Sequence, residues 1–266
     1  MIRLALVAVC VAAPVAAQAD PPAFVSGDRW GSRDKAGASL AYVSLDADGE
    51  SAQRLETYGE YLVAPYGLGG YATASAVRAS SDVEDDTYTL GNVELGGLWA
   101  SENIPFGTVL RAGVVLATAG DGVEDRFANT LATQSRMTDL AQTTGDVTWV
   151  RLSMSPRARR GSGFFRVDLG ADLPVLGDGR DDADVLGRVN LGAGTVTNSG
   201  NAALMVEVIN NIVLGDPDGR DRFTHALSVG GRYMNAGPVQ PSLAVVVPLD
   251  NDALQWALLL GAEYDL

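Results

Sequence analysis

The C-terminal stretch 254–266, LQWALLLGAEYDL, alternates along its whole length between two kinds of side chain. One face is apolar and consists of Leu254, Trp256, Leu258, Leu260, Ala262, Tyr264 and Leu266. The other face includes Gln255, Glu263 and Asp265. Successive side chains of a β-strand point to opposite faces, so the stretch predicts a strand with one apolar and one more polar face. A strand that separates lipid from a polar lumen has this composition.

The same alternation recurs along the chain in runs of about 9–12 residues, the length of a tilted membrane strand. The runs, about twelve in number, are 36–45, 55–64, 68–77, 88–99, 106–118, 146–155, 162–173, 185–195, 202–213, 222–233, 239–248 and 254–265. A soluble sheet also alternates, but its strands average about 5–6 residues. The sequence therefore predicts an all-β fold, a single antiparallel up-and-down transmembrane β-barrel of about twelve strands.

The connections between these runs alternate between long and short. The long ones are 46–54, 78–87, 119–145, 174–184, 214–221 and 249–253, and they hold most of the acidic residues outside the strands. The short ones are 65–67, 100–105, 156–161, 196–201 and 234–238. Bacterial barrels have short periplasmic turns and longer external loops. We therefore expect both chain ends on the periplasmic side and an acidic external rim.

One long loop differs from the others. Residues 123–142 (VEDRFANTLATQSRMTDLAQ) lack strand alternation and contain good helix formers. Phe127, Leu131, Met137 and Leu140 fall on one side of a helical projection. The pattern predicts a short helix in a long extracellular loop. It fits a solvated loop helix as well as a helix that folds over or into the mouth of the barrel.

The N-terminus has the pattern of a secretion signal. Arg3 precedes an uncharged apolar run over 4–17, and 17–19 (AQA) forms a cleavage site. The run is shorter than the roughly 20 apolar residues of a spanning helix, which argues against a membrane anchor. The predicted organisation is a signal peptide over 1–19, a short N-terminal segment over 20–35 and the barrel over 36–266.

Charge and cysteine content narrow the function. The chain carries a net charge of −14 at pH 7, and loss of Arg3 with the signal makes the mature chain one unit more negative. Nucleic-acid binding requires the opposite sign and is excluded. Cys10 is the only cysteine and leaves with the signal. An exported chain without disulfides needs another source of stability, which a closed sheet supplies.

Assigning the polar face of each strand to the inside places charged side chains in the lumen. The lumen-lining residues predicted in this way are Glu60, Glu94, Arg111, Arg151, Arg166, Asp168, Asp172, Arg188, Glu207, Arg232 and Glu263. A barrel of about twelve strands is narrower than porins of sixteen to eighteen, so opposite charges should pair across it. The pairs either fill and rigidify the barrel or line a narrow conduit that selects the solute.

Enzymatic chemistry finds little support. His225 is the only histidine, and alternation puts it on the lipid face near the external rim. An outer-membrane phospholipase has its catalytic base in such a position and its serine nucleophile two residues later. In this chain the residue two positions after His225 is Leu227, and Ser228 points inward, so no serine lies where the nucleophile is needed. Segments 178–184 and 216–221 resemble calcium-binding loops but do not have the full spacing that ends in a bidentate Glu. Each fits a solvated turn or a weak calcium site. We predict no enzyme activity, no metal centre and no cofactor.

Aromatic residues at both interfaces are a further expectation for a membrane barrel. Trp256 falls early in the last run and should lie near the external side, whereas Tyr264 should lie near the periplasmic side. Trp99 and Phe106, which flank a short connection, are further candidates.

Gly-rich strand pairs such as 67–71 (GLGGY), the helix-bearing long loop and the closing strand 254–265 are shared with a known class of barrels. On these features, which span most of the mature chain, it resembles small outer-membrane channels, above all the transporter-like barrels of the phenol-degradation (meta-pathway) family. The resemblance implies a Gram-negative outer-membrane channel. The chain departs from such barrels in ending on Leu266 rather than an aromatic residue.

These observations together predict a monomeric outer-membrane channel for passive diffusion of a small solute through a narrow, charge-lined lumen. The alternative is a structural or adhesion barrel with a filled lumen that acts through its acidic external loops. A lipid-modifying enzyme using His225 is the third and weakest hypothesis. The expected partners are outer-membrane lipid, a small-molecule solute and the barrel-assembly machinery.

Overall fold

The computed structural model describes residues 34–45, 50–63, 67–80, 86–101, 106–133, 135–215, 223–235, 237–250 and 254–266. The predicted signal peptide and nearly all of the predicted N-terminal segment lie outside these residues. Within them, regular structure is almost entirely β. No helix among them is long and apolar enough to cross a membrane.

The strands follow one another along the chain with one helical interruption. They are β1 (Lys35–Leu45), β2 (Ser51–Leu62), β3 (Gly67–Ser80), β4 (Thr87–Leu90), β5 (Val93–Ser101), β6 (Phe106–Leu116), β7 (Thr148–Arg160), β8 (Gly163–Leu176), β9 (Val185–Val196), β10 (Ala202–Leu214), β11 (Phe223–Tyr233), β12 (Val239–Pro248) and β13 (Leu254–Asp265). Between β6 and β7 lie α1 (Val123–Thr133), a 3₁₀ turn (Met137–Asp139) and α2 (Leu140–Thr143). A second 3₁₀ turn (Arg180–Asp182) lies between β8 and β9.

The sheet closes on itself. β1 pairs antiparallel with β13, with Lys35 opposite Asp265, and also with β2, which pairs with β3. Every further pair of neighbouring strands is also antiparallel, and twelve strands together form a closed barrel. Among the described residues β4 pairs only with β3, beyond the end of β5. The predicted run 88–99 spans β4 and β5, which a break at Gly91 and Asn92 separates. The predicted all-β, up-and-down barrel of twelve strands is therefore confirmed.

The connections fall at two ends of the barrel, which we name by their loops. The long-loop end holds the connections that follow β1, β3, β6, β8, β10 and β12, and the short-turn end holds those that follow β2, β5, β7, β9 and β11, together with the start of β1 and the end of β13. One predicted turn is shorter than expected. Arg160 pairs with Gly163, so β7 runs through most of 156–161 and leaves a two-residue hairpin. Gly161 has a φ of 60°, as such a tight turn requires.

The outer face of the barrel is apolar. Large apolar side chains are exposed on nearly every strand, among them Leu40, Leu55, Leu110, Phe165, Val206, Leu243 and Leu260. Trp256 lies 5.8 Å from Tyr42, measured between ring centroids, near the long-loop end. Tyr264, Trp99 and Phe106 are exposed near the short-turn end. A continuous apolar surface bounded by aromatic residues is stable against lipid rather than water.

The segment between β6 and β7, which we call the inserted loop (residues 117–147), folds into the barrel. Helix α1 packs against β2, β3 and β4, and the 3₁₀ turn packs against β10. Ala128, Ala132, Met137 and Ala141 are almost fully inaccessible. The sequence left open whether this helix is solvated or enters the barrel. The structure shows the inward arrangement, because contacts with strands on several sides of the barrel require it.

Candidate functional site in the barrel interior

The structure buries every charged residue that the sequence assigned to the lumen. These residues are Glu60, Glu94, Arg111, Arg151, Arg166, Asp168, Asp172, Arg188, Glu207, Arg232 and Glu263. They alternate along their strands with exposed apolar residues, which places them on the inward face. Buried charges are tolerated where opposite charges and hydrogen bonds compensate them.

Arg151 on β7 lies at the centre of the largest charged group. Its Nε and Nη2 each lie 2.9 Å from one carboxylate oxygen of Asp172, a bidentate pair. Its Nη1 donates to Glu94 Oε2 at 2.7 Å and to Asp139 Oδ1 of the inserted loop at 3.2 Å. One fully buried guanidinium therefore joins β5, β7, β8 and the inserted loop.

Arg188 on β9 extends this group along the wall. Its Nη2 lies 3.4 Å from Asp172 Oδ1, so two arginines share one carboxylate. Its Nη1 donates to the backbone oxygen of Thr138 in the inserted loop at 2.9 Å. Arg151, Asp172 and Arg188 thus pair between the neighbouring strands β7, β8 and β9.

Tyr71 on β3 connects the same group to β6. Its hydroxyl donates to Glu94 Oε1 at 2.7 Å, and Arg111 stacks over its ring at 5.3 Å. The ring lies over Gly96 and Gly113, where an added Cβ would collide with it. Glycine at these two positions therefore gives the aromatic ring room to lie flat against the wall and reach Glu94.

A second charged group lies at the short-turn end. Glu263 on β13 lies 2.7 Å from Arg232 Nη1 and 3.3 Å from Lys35 Nζ. Lys35 also lies 3.9 Å from Glu60, and Tyr58 donates its hydroxyl to Glu263 at 3.1 Å. The structure thus brings three of the predicted residues together with Lys35, which the sequence had assigned to the N-terminal segment.

The remaining predicted residues lie on β8 and β10. Asp168 accepts hydrogen bonds from Ser155 Oγ and Asn190 Nδ2, each at 3.0 Å. Arg166 lies opposite Arg157 in the β7–β8 pair, and Glu207 is buried on β10. Asp168 thus links β7, β8 and β9 through these hydrogen bonds.

The inserted loop is bound to the wall through side-chain amides. Arg54 on β2 donates to Gln142 Oε1 at 2.7 Å, and Gln142 donates to Glu94 Oε2 at 2.8 Å. On the opposite side, Asn211 on β10 donates to the backbone oxygen of Met137 at 2.5 Å. These contacts bridge distant strands through the loop, so the loop crosses the barrel interior.

Asn92 holds the two ends of the inserted loop together. Its Oδ1 accepts from the backbone N–H groups of Thr118 at 2.8 Å and Ala119 at 2.7 Å. Its Nδ2 donates to the backbone oxygens of Ala141 at 2.9 Å and Thr144 at 2.6 Å. The break between β4 and β5 thus places one amide side chain where it satisfies four backbone groups of the loop.

A carboxylate and an arginine of the inserted loop complete the charged group. Arg136 Nε lies 2.9 Å from Asp139 Oδ2 and 3.7 Å from Glu56 Oε2, and Glu56 pairs with Arg54 at 3.3 Å. Burial lowers the pKa of Arg136, but attraction to Asp139 and Glu56 outweighs burial and holds this pKa above its usual value. Arg136 therefore stays charged inside the barrel.

The interior is two-sided. The charged group around Arg151 occupies β2 and β5 to β9, whereas the inward face of β10 to β13 and β1 is largely apolar. This apolar side includes Ala41, Val43, Met205, Ile209, Ala226, Ala244, Val246, Ala257 and Leu259. Ala128, Leu131, Ala132 and Met137 of the inserted loop belong to the same cluster. The loop is amphipathic and contacts both sides.

Sequence reasoning missed several members of these groups. Arg54 and Glu56 lie on the same face of β2 as Glu60. Glu56 fell within the predicted run 55–64, where alternation places it beside Glu60, but it was not assigned to the lumen. Arg54 preceded that run by one residue and Arg157 on β7 followed its run by two, so alternation extended by a few residues would have found both. Nothing in the sequence indicated that Asp139 reaches Arg151, because that contact depends on the fold of the inserted loop.

His225 lies apart from the interior, near the long-loop end of β11. Its Nδ1 lies 2.8 Å from Asn210 Oδ1, its Nε2 lies 3.9 Å from Asp250, and over a third of the side chain is exposed. Ser228 is fully buried on the opposite face, so it cannot reach the imidazole. Leu227 occupies the position that a nucleophile would need.

Metal-ligating side chains do not cluster in the described part of the chain, where no three His, Cys, Asp or Glu residues gather in a metal-ligating arrangement. Segment 178–184 forms a 3₁₀ turn between β8 and β9. Segment 216–221 lies outside the described residues.

No protein-family model and no curated protein matches this chain. Solved structures do match it. An outer membrane channel from Pseudomonas putida F1 superposes with a TM-score of 0.61 at 12% identity, over 94% of this chain and 100% of that one. The chain therefore has the fold of an outer-membrane channel. The KdgM porin (TM-score 0.55, 9% identity, 86% of this chain, 99% of that one) and the NanC porin (0.55, 8%, 86% and 100%) share this fold.

The channel fold agrees with the apolar outer surface and the closed sheet, and it confirms the predicted outer-membrane location. It also confirms the resemblance to small outer-membrane channels. These three similar structures are those of channels and porins.

Proposed function

We propose that this chain is a passive outer-membrane channel for a small solute, and that the inserted loop restricts a narrow, charge-lined path through its interior. The observation that carries the proposal is the charged inward face of a closed barrel. A barrel that served only as a scaffold would gain more from apolar packing, since buried ion pairs contribute little net stability. Polar interiors are typical of barrels that conduct.

The predicted lumen residues would then line this path. Arg111, Arg151 and Arg188 with Glu94 and Asp172 would act at the level of the inserted loop, and Glu60, Arg232 and Glu263 at the short-turn end. Charged rings of this kind select solutes by charge and by the hydrogen bonds they offer. Each group contains both signs, so the path would discriminate by arrangement rather than by a single uniform charge.

The inserted loop keeps the channel mostly closed in this proposal. A hydrogen bond to a charged group contributes about 1.5–3 kcal/mol net, and the loop makes several, including Asp139 with Arg151 and Thr138 with Arg188. A preference of about 3 kcal/mol leaves roughly 1% of molecules open. Opening would be brief and infrequent without a solute that competes for these contacts.

Export and assembly follow from the same proposal. The chain would be exported through cleavage of residues 1–19, leaving the short segment 20–35 ahead of the barrel over 36–266. The barrel-assembly machinery would insert it as a monomer, with the acidic long loops outside the cell.

Conductance in planar bilayers tests the proposal. β6 and β7 are adjacent antiparallel strands, with Val115 opposite Trp149, so a short Gly-Ser linker can replace residues 118–146. We expect small, intermittent currents from the wild type and steady currents at least about tenfold larger on average from this variant. Replacing 178–183 between β8 and β9 by the same linker is the control, and it should behave like the wild type.

A silent loop-replaced variant that is folded by heat-modifiable gel mobility would contradict the channel. Equal steady currents from the wild type and the variant would contradict the restricting role of the loop.

The filled interior favours a second candidate, a structural barrel that acts through its external loops. In that case the loop-replaced variant would lose stability without gaining conductance. Arg151→Ala and Arg166→Ala separate the two functions as well, because they should alter solute flux in a channel but mainly stability in a filled barrel.

A further inference from the structure

Most hydrogen bonds between the wall and the inserted loop have the same direction, although Gln142 donates to Glu94 and the backbone N–H groups of Thr118 and Ala119 donate to Asn92. Side-chain donors on the wall belong to Arg54, Asn92, Arg151, Arg188 and Asn211. Oxygen atoms of the loop accept from them, namely Gln142 Oε1, Asp139 Oδ1 and the backbone oxygens of Met137, Thr138, Ala141 and Thr144. The wall beneath the loop is therefore mainly a donor surface, and a molecule that replaces the loop there must supply mainly acceptors.

The net charge of this surface stays positive when the loop leaves. Arg136 and Asp139 leave together and cancel. Wall residues of the charged group are then the cations Arg54, Arg111, Arg151 and Arg188 and the carboxylates Glu56, Glu94 and Asp172. The cations exceed the carboxylates by one, so the uncovered surface favours an anion over a neutral molecule or a cation.

An apolar residue of the loop indicates what chemistry a molecule replacing the loop needs on its side away from the charged group. Met137 is 2% exposed and belongs to the apolar cluster that includes Ile209 and Val246, yet it lies two residues from Asp139. The loop thus places a carboxylate on the charged side and an apolar side chain on the apolar side within a few residues.

We propose that the inserted loop is an internal ligand that occupies the binding site of the transported solute, a small organic carboxylate with an apolar flank. The Asp139 carboxylate takes the place of the solute carboxylate at Arg151, and Met137 takes the place of its apolar flank. This inference rests on the proposed channel function and adds the substrate class. A solute of this class opens the channel because it competes with the loop for the same donors.

Single-channel recording with benzoate, benzamide and benzylammonium as probes tests this inference. The three share a ring and differ in charge. We expect millimolar benzoate to raise the open fraction of the wild type severalfold, whereas benzamide and benzylammonium leave it unchanged. An equal response to benzoate and benzamide, or a larger response to benzylammonium, would overturn the proposal.

Two substitutions in the loop form a matched pair. Asp139→Asn weakens the internal ligand, while Arg151 keeps Asp172 and Glu94 as partners. Benzoate should then act at a roughly tenfold lower concentration, because the competitor is weaker. Asp121→Asn removes the same charge from an exposed position of the loop and should behave like the wild type. Identical responses from the two variants would contradict the assignment of Asp139.

A wall variant keeps the inference testable if Asp139→Asn does not fold. Arg188→Gln removes the excess positive charge, and in the loop-replaced channel its contact with Thr138 of the loop no longer matters. In that channel the substitution should raise the benzoate concentration that half-saturates the site about tenfold. An unchanged benzoate response in this variant would contradict the anion site.

The loop-replaced channel separates this inference from the channel function itself. If that variant conducts while benzoate leaves the wild type closed, the carboxylate site is wrong and the channel stands. If the loop-replaced variant conducts no current, the proposed channel function is wrong, and the inference that rests on it is wrong as well.

Discussion

Arg151 shows how a charge can be kept inside a membrane barrel. Its guanidinium is fully buried but contacts Asp172, Glu94 and Asp139, so every carboxylate around it is compensated by the same cation. Such a group adds little net stability compared with an apolar core, but removing one member leaves the others uncompensated. The proposed polar path would explain why Arg151 is kept in the interior, whereas packing alone would favour an apolar residue.

Arg151→Ala should destabilise the barrel by about 3–5 kcal/mol, because it leaves carboxylates buried without their common partner. The measurement is the midpoint of urea unfolding in lipid or detergent. Adding Asp172→Ala should restore part of the loss, since it removes one of the uncompensated charges. The control is Arg126→Ala, whose pair with Asp146 is exposed and which should change stability by less than about 1 kcal/mol. Equal losses from Arg151→Ala and Arg126→Ala would contradict the role of burial.

At the scale of the element, strands were predictable and the inserted loop was not. Every strand of the barrel lies within a few residues of a predicted run, because alternation with a period of two is a local property that the membrane imposes. The helical character of 123–133 was also local. The position of the loop inside the barrel was not a local property. It depends on residues from distant parts of the chain, Asn92, Arg54 and Asn211, which can bind the loop only after the barrel closes.

Which residues lie on the inward face of each strand was as predictable from the sequence as the strands themselves. Counting along β5, β7 and β8 assigned Glu94, Arg151 and Asp172 to the inward face, and the structure buries all three. Which residues pair with which could not be predicted, because pairing depends on strand register and on the loop. Asp139 is the clearest case, as nothing near it in sequence indicates Arg151 as its partner.

Helix α1 offers a test of how the loop is held. Ala132 is fully buried and Thr130 is exposed on the same helix. Ala132→Glu should release the loop, because an unpaired carboxylate cannot be buried against the apolar cluster. We expect higher conductance and trypsin cleavage after Arg136, which is otherwise buried. Thr130→Glu should leave both unchanged, and cleavage at Arg136 in this control would contradict the inward position of the loop.

The whole molecule combines an apolar exterior with a two-sided interior. The exterior explains the membrane location, and the fold is that of outer-membrane channels. The interior is charged on one side and apolar on the other, and the inserted loop covers both. A closed barrel is stable as a sheet without edges, and in the proposed function the charges inside it select the solute.

The central claim is that solute and ions pass through this interior, and thiol modification of Ser153→Cys tests it most directly. Ser153 accepts a hydrogen bond from Arg111 on the inward face of β7, and the only native cysteine, Cys10, lies in the predicted signal peptide. In the loop-replaced channel, a charged methanethiosulfonate reagent should label this cysteine and reduce the current by more than about half. Ser199→Cys, on an exposed turn, should be labelled without loss of current. Complete labelling of Ser153→Cys with an unchanged current would contradict a path through the charged interior.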